Sequence, residues 1–236
     1  MKYVNYAHRG ASSCEPENTL KAFYKGLDMK ANGIETDIQL SKDGVAFLCH
    51  DDIFGRAVQA SGCPGDYNWS ELKNFTVICP EHPEQKDTLC SFEDFLIHFG
   101  FRDLTFAIEL KGDGTAAETA RLLRKYDLCS KTIVTSFKYE ELAAFAKEAP
   151  EFRLGWLKDD FSDEEALDFK ALGGWQLCPR ASCITAEKVK HFNELGFTVR
   201  AWGIADEELM KHAYLCGTDG QTVNFPDKLT AYLESL

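Results

Sequence analysis

A chain of 236 residues that is 44% apolar reads as globular, and it is long enough to close one large core as a single barrel-sized domain or to form two small ones. Its formal net charge of −12 argues against a nucleic-acid partner and against stable docking on an anionic lipid surface, because both need clustered Lys and Arg. An anionic substrate would have to be drawn in locally, by a metal or by a few basic side chains.

In chain order, strand-like runs fall at residues 3–8, 33–40, 105–110, 132–136, 152–157, 174–178, 197–202 and 219–224. Helix-like stretches follow or separate them at 19–31, 91–99, 115–126, 139–148, 163–172, 186–195, 207–216 and 227–236, so strand and helix alternate eight times. From the third strand onward a new strand starts every 20 to 27 residues, room for one strand, one helix and two short loops. That is the βα unit of a parallel sheet, and eight of them predict a (β/α)8 TIM barrel with its chemistry at the C-terminal strand ends. An open doubly wound sheet is the minor alternative, but no G-x-G-x-x-G turn follows the first strand.

The second unit is too long for one repeat. Within it Lys42-Asp43-Gly44 separates two apolar runs, a hairpin signal that makes the second strand double back and returns His50 toward Glu35 and Asp37. Residues of about 53–98 then read as an insertion over the barrel mouth, with helix-like pieces at 69–75 and 91–99, the latter completing the unit. The expected organisation is therefore one domain over 1–236 carrying this small insertion after the second strand.

Five polar islands sit at or near apolar runs: His8-Arg9, Glu17-Asn18, Glu35-x-Asp37, His50-Asp51 and Glu109-x-Lys111. Residues i and i+2 on a strand share a face, so Glu35 and Asp37 point together, as do Glu109 and Lys111. Three carboxylates in one low-dielectric region repel one another unless a cation lies among them. An all-oxygen ligand set suits Mg2+, Ca2+ or Mn2+ better than Zn2+. His8 and His50 are then available for proton transfer near neutral pH, and Arg9 and Lys111 are placed to attract an anion.

Taken together, A-H-R-G (Ala7, His8, Arg9, Gly10), P-E-N-T from Pro16, G-I-E-T-D-I from Gly33, K-D-G from Lys42, H-D-D from His50 and I-E-L-K from Ile108 resemble the glycerophosphodiester phosphodiesterase family. The likeness continues through Ser136-Phe137, Val199-Arg200-Ala201-Trp202 and Gly217-Thr218-Asp219-Gly220 to Pro226, so it spans nearly the whole chain. It implies a metal-dependent hydrolase on a phospholipase C-like barrel that cleaves glycerophosphodiesters, such as glycerophosphocholine or glycerophosphoethanolamine, to sn-glycerol 3-phosphate and an alcohol. By match to the family motifs, Glu35, Asp37 and Glu109 would hold one divalent cation and His8 and His50 would be the acid/base pair. Arg9 and Lys111 would hold phosphate oxygens, Glu17 would support that cluster, and Trp202 would line the mouth beside the glycerol or the leaving alcohol. The attacking oxygen is either water or the neighbouring glycerol hydroxyl. Ala205 and Asn224 stand where the family often has asparagine and aspartate; both changes are expected to bear on substrate recognition and to leave the metal and proton groups untouched.

Plainer roles compete at some positions. Glu17 or Asn18 could cap the first helix, Trp202 could be core, and Arg56 and Arg180 read as solvated surface charges. His82, His98, His191 and His212 lack partner spacing. A lysophospholipase D-like enzyme would need an acyl groove, for which Phe54, Tyr67, Trp69 and Phe75 are candidates; a catalytically silent barrel that binds phosphate ligands is the rival from another class. Nine cysteines without a C-x-x-C pair, together with the absence of an apolar leader or membrane-length run, predict a cytoplasmic protein. The oligomeric state is left open.

Overall fold

The computed structural model describes residues 3–236. Among them eight parallel strands close into a ring in the order β1 (Val4–His8), β2 (Gly33–Leu40), β6 (Thr105–Leu110), β7 (Thr132–Ser136), β8 (Arg153–Lys158), β9 (Gly174–Pro179), β10 (Thr198–Ala201) and β11 (Gly220–Val223), with β11 returning to β1. The expected barrel is borne out. One extra strand, β3 (Ala46–Leu48), lies outside the ring and pairs antiparallel with the far half of β2, Ile38 facing Leu48. The turn between them is the Asp43-Gly44 hairpin, with Gly44 at φ +81, a left-handed conformation that costs glycine little.

Helices α1 (Leu20–Asp28), α3 (Phe92–Phe99), α4 (Ala116–Lys125), α5 (Tyr139–Glu148), α6 (Asp163–Ala171), α7 (Ala186–Glu194), α8 (Glu207–Leu215) and α9 (Pro226–Glu234) cover the outer wall. Thr19, Ser91, Ser162, Thr185 and Asp206 start five of them, each side chain accepting a backbone N–H three residues on. The helices bury an aromatic layer against the strands, with Phe23, Phe95, Phe99, Phe106, Phe145 and Phe169 all fully enclosed. Each such ring contributes about 1.5–3 kcal/mol relative to exposure. No helix of the described residues is long and apolar enough to cross a membrane.

The insertion has a small core of its own. Phe54, Val58, Leu72, Val77 and Leu89 are buried together against Phe47 of β3, and Tyr67, Trp69 and Phe75 pack against them. The aromatics considered for an acyl groove are thus spent on this core. Its helix α2 (Trp69–Leu72) ends sooner than expected, and a hairpin of β4 (Thr76–Cys79) and β5 (His82–Thr88) follows that the sequence pattern did not announce. β5 is mostly exposed, holds no apolar alternation and contains Pro83; cross-strand backbone pairing defines it.

Candidate active site

Strand register brings the acidic residues together. Asp37 on β2 lies beside Glu109 on β6, and His8 at the end of β1 lies beside Glu35. One oxygen from each of Glu35, Asp37 and Glu109 falls within 4.8 Å of the others, and the three are 4, 0 and 6% exposed. Burial, then the Asp37 charge, pushes Glu35 well above the usual carboxylate range and raises Glu109 as well. Asp37 goes the other way: burial works against its charge, but Arg9, His50, Lys111 and the Asn18 amide outweigh it. Asp37 Oδ2 accepts from Asn18 Nδ2 at 2.9 Å and lies 3.0 Å from Arg9 Nε, whereas Oδ1 is buried without a hydrogen-bond partner. A hard divalent cation fits this set, since it would satisfy that orphaned oxygen and relieve the repulsion that disfavours charge on Glu35 and Glu109.

The loop leaving β1 is forced into shape around the cluster. Arg9 and Asn18 both adopt left-handed backbone, φ 57 and 58, uncommon for side chains with a Cβ. Arg9 N donates to the Glu35 carbonyl at 2.9 Å and Asn18 N donates to the Arg9 carbonyl at 3.0 Å. At Gly10, also left-handed, a Cβ would meet the Ala22 carbonyl carbon at 2.4 Å, so only glycine lets α1 approach this closely.

Neither Glu17 nor Asn18 caps α1; Thr19 does. Asn18 instead bridges Asp37 and Thr36, accepting from Thr36 Oγ1 at 2.7 Å. Glu17 accepts from Arg9 NH1 at 3.2 Å and from Arg56 NH1 and NH2 at 2.8 and 2.5 Å. Although burial opposes its ionisation, those arginines hold Glu17 below its usual value. Arg56, read from sequence as a solvated charge, also donates to Asp51 Oδ1 from Nε and NH2. The reason lies in the insertion, which folds Arg56 back onto Glu17 and Asp51. Asp51 accepts from His50 Nδ1 at 2.9 Å; despite partial burial, the His50 and Arg56 hydrogen bonds bring it down to about 2.

His50 reaches the mouth because Cys49 N donates to the Asp37 carbonyl at 3.1 Å, tying the end of β3 to the cluster. His8 and His50 line one cavity of about 470 Å³ with Arg9, Glu35, Glu109, Lys111 and Trp202. Burial and then the Arg9 charge push His8 down to about 3, so its ring is neutral near pH 7. Its Nδ1–H donates to Asn224 Oδ1 at 2.6 Å, which leaves the Nε2 lone pair without a hydrogen bond, 3.9 Å from Glu35 Oε2. This corrects the expectation that the change at 224 spares the proton groups: β11 ends beside β1, and the residue that follows it, Asn224, meets His8. Lys111 Nζ lies 3.3 Å from Glu109 Oε1 and 5.8 Å from the centre of the Phe137 ring. Trp202 serves the mouth, half-buried against Phe137 and donating from Nε1 to the Lys158 carbonyl at 3.1 Å. Asn18, Asp51, Arg56, Phe137, Arg200 and Asn224 also lie at the cluster or the cavity without a role assigned from sequence, although motifs or departures from them had marked all but Arg56.

A sequence model described as the glycerophosphoryl diester phosphodiesterase family matches residues 8–228. The chain belongs to this family. Like other glycerophosphodiester phosphodiesterases it is a phosphoric diester hydrolase. A glycerophosphodiester phosphodiesterase of Caldanaerobacter subterraneus subsp. tengcongensis is 27% identical, with 97% of each chain covered. Another, from Bacillus altitudinis, is 25% identical over 98% of each. Among solved structures, an Oleispira antarctica phosphodiesterase in complex with the product sn-glycerol-3-phosphate shares the fold with a TM-score of 0.86, at 24% identity over 97% of this chain and 96% of that one.

Proposed function

We propose that this chain, one barrel domain over 1–236 with an insertion at about 53–98, hydrolyses glycerophosphodiesters such as glycerophosphocholine or glycerophosphoethanolamine to sn-glycerol 3-phosphate and an alcohol. The observation that carries the reading is a buried three-carboxylate cluster that opens through Glu35 and Glu109 into the cavity lined by two differently partnered histidines. Glu35, Asp37 and Glu109 would hold one divalent cation, Mg2+ or Ca2+, with Mn2+ also suited to the oxygen set. When bound, the cation supplies Lewis-acid stabilisation of charge developing on the phosphoryl oxygens.

The protein's own groups do the rest. Arg9 and Lys111 bind phosphate oxygens, and Glu17 keeps Arg9 in place from behind. His8, neutral and with Nε2 open to the cavity, takes a proton from the attacking oxygen. His50, oriented through Nδ1 by Asp51, returns one to the leaving alkoxide. Trp202 and Phe137 wall the side where the leaving alcohol departs. The nine thiols, none bridged, support a reducing cytoplasmic location.

A coupled assay for released glycerol 3-phosphate tests this directly, run on glycerophosphocholine, glycerophosphoethanolamine and acylated counterparts, with and without chelator. Metal-dependent release from the deacylated diesters is the expected result, and no release from any of them would sink the proposal.

A further inference from the structure

Three cationic side chains line the cavity, and two are committed. Arg9 is paired with Asp37 and Glu17, and Lys111 with Glu109. The third, Arg200 on β10, is 1% exposed and has no carboxylate partner among the described residues. Its Nε donates to Gln176 Oε1 at 3.2 Å, NH1 to Thr222 Oγ1 at 2.6 Å and NH2 to Cys178 Sγ at 3.6 Å, and its guanidinium carbon lies 5.3 Å from the centre of the Tyr6 ring. Every one of these acceptors is neutral, for burial keeps Cys178 a thiol. A guanidinium has five N–H donors, so two remain unspent.

A charge withdrawn from water without a counter-charge is a large burden on folding, and three hydrogen bonds to neutral acceptors offset it only in part. Glu35 acts on Arg200 through space without an ion pair. The position explains what the residue is for. Arg200 lies inside β10, whereas Trp202, Ile204 and Ala205 follow the strand and line the same cavity nearer its C-terminal mouth, so Arg200 lies at the cavity floor. Around the ring, β10 stands across the barrel from β6, the strand that delivers Lys111.

We propose that Arg200 is a further phosphate-binding residue, whose free N–H donors engage a non-bridging phosphoryl oxygen from the side opposite Lys111. The inference rests on the reading of the cavity as a phosphodiester site, and its test separates the two. Inorganic phosphate is titrated calorimetrically into the purified full chain in Mg2+, for wild type, Arg200→Met, Arg200→Gln and Arg200→Lys, with melting temperature and diester turnover followed in parallel. Arg200→Met is expected to bind phosphate about 10- to 100-fold more weakly and to raise KM. It should do so while remaining folded, and Arg200→Lys should regain part of the affinity, a pattern that a purely structural residue would not give. Equal phosphate affinity in wild type and Arg200→Met overturns the inference, as does a wild type that turns over diesters yet binds no phosphate. Failure of both Arg200→Met and Arg200→Gln to fold also overturns it, since Arg200 would then be a required core element. A wild type that neither binds phosphate nor cleaves any diester sinks the reading of the cavity itself, and the inference with it.

Discussion

The inner wall of the site and its rim solve opposite electrostatic problems. On the wall, Glu35, Asp37 and Glu109 are fixed by strand register into mutual repulsion, two of them pushed toward the neutral form. On the rim, Glu17 and Asp51 are carried by loops and held ionised by Arg56 and, for Glu17, Arg9. The wall is an arrangement that a bound divalent cation would complete. The rim has its cation built in, delivered by the insertion, and is therefore suited to orienting His50.

The strongest way to break this contrast is to neutralise the wall. Glu35→Gln, Asp37→Asn or Glu109→Gln should each lower turnover by about 1,000-fold or more and weaken divalent-cation binding in a calorimetric titration. Retained activity in any of them would mean that its carboxylate is not part of the cation site. The metal-free protein offers a second view. Because Glu35 is raised in the folded state, the native chain binds the extra proton, and stability must fall as pH climbs above the ordinary glutamate value. Glu35→Gln should remove part of that slope in chelator, as read from denaturant midpoints between pH 5 and pH 8.

His8→Ala and His50→Ala come next, each expected to cost about 100- to 10,000-fold in turnover with cation binding intact. Equal weak activity in wild type and both variants would favour a silent, phosphate-binding barrel. Arg56→Ala tests the rim alone. It leaves the wall untouched, so turnover should drop about 10- to 100-fold, as for other groups that orient a working side chain, while cation affinity stays put. A fall in cation affinity would show that wall and rim are one unit.

The smallest expected effect is on acid stability. Asp51 is depressed to about 2, so its contribution is complete above the unfolded carboxylate value of about 3.9 and is lost as pH falls through about 2. Asp51→Asn should flatten the acid limb of the unfolding curve across that window. An unchanged limb would assign acid sensitivity to Glu17 instead.

Much of the wall was legible in the residues. The i, i+2 rule places Glu35 with Asp37 and Glu109 with Lys111, and the regular spacing of later strands yields the barrel that sets them side by side. The hairpin at Asp43-Gly44 was readable too, because a short turn cannot join parallel strands, and it returns His50 to the cluster. The rim was not legible. Arg56 lies 39 residues from Glu17 in an insertion without repeat periodicity, and nothing local says that its guanidinium will fold back. Asn18 sits where a helix cap belongs, and only the left-handed turn at Arg9 and Asn18 directs its amide to Asp37.

Local pattern thus determined the strands, the helices and the carboxylates that could hold a cation, because side-chain alternation and turn chemistry act over a few residues. Ring closure decided the remainder. It set β11 beside β1, which gave His8 Nδ1 a neutral amide partner in Asn224 where His50 Nδ1 has a carboxylate. It also set β10 across from β6, which left Arg200 buried at the cavity floor without a counter-charge. Such pairings depend on which strands become neighbours and at what register, and that is fixed only when the whole core closes.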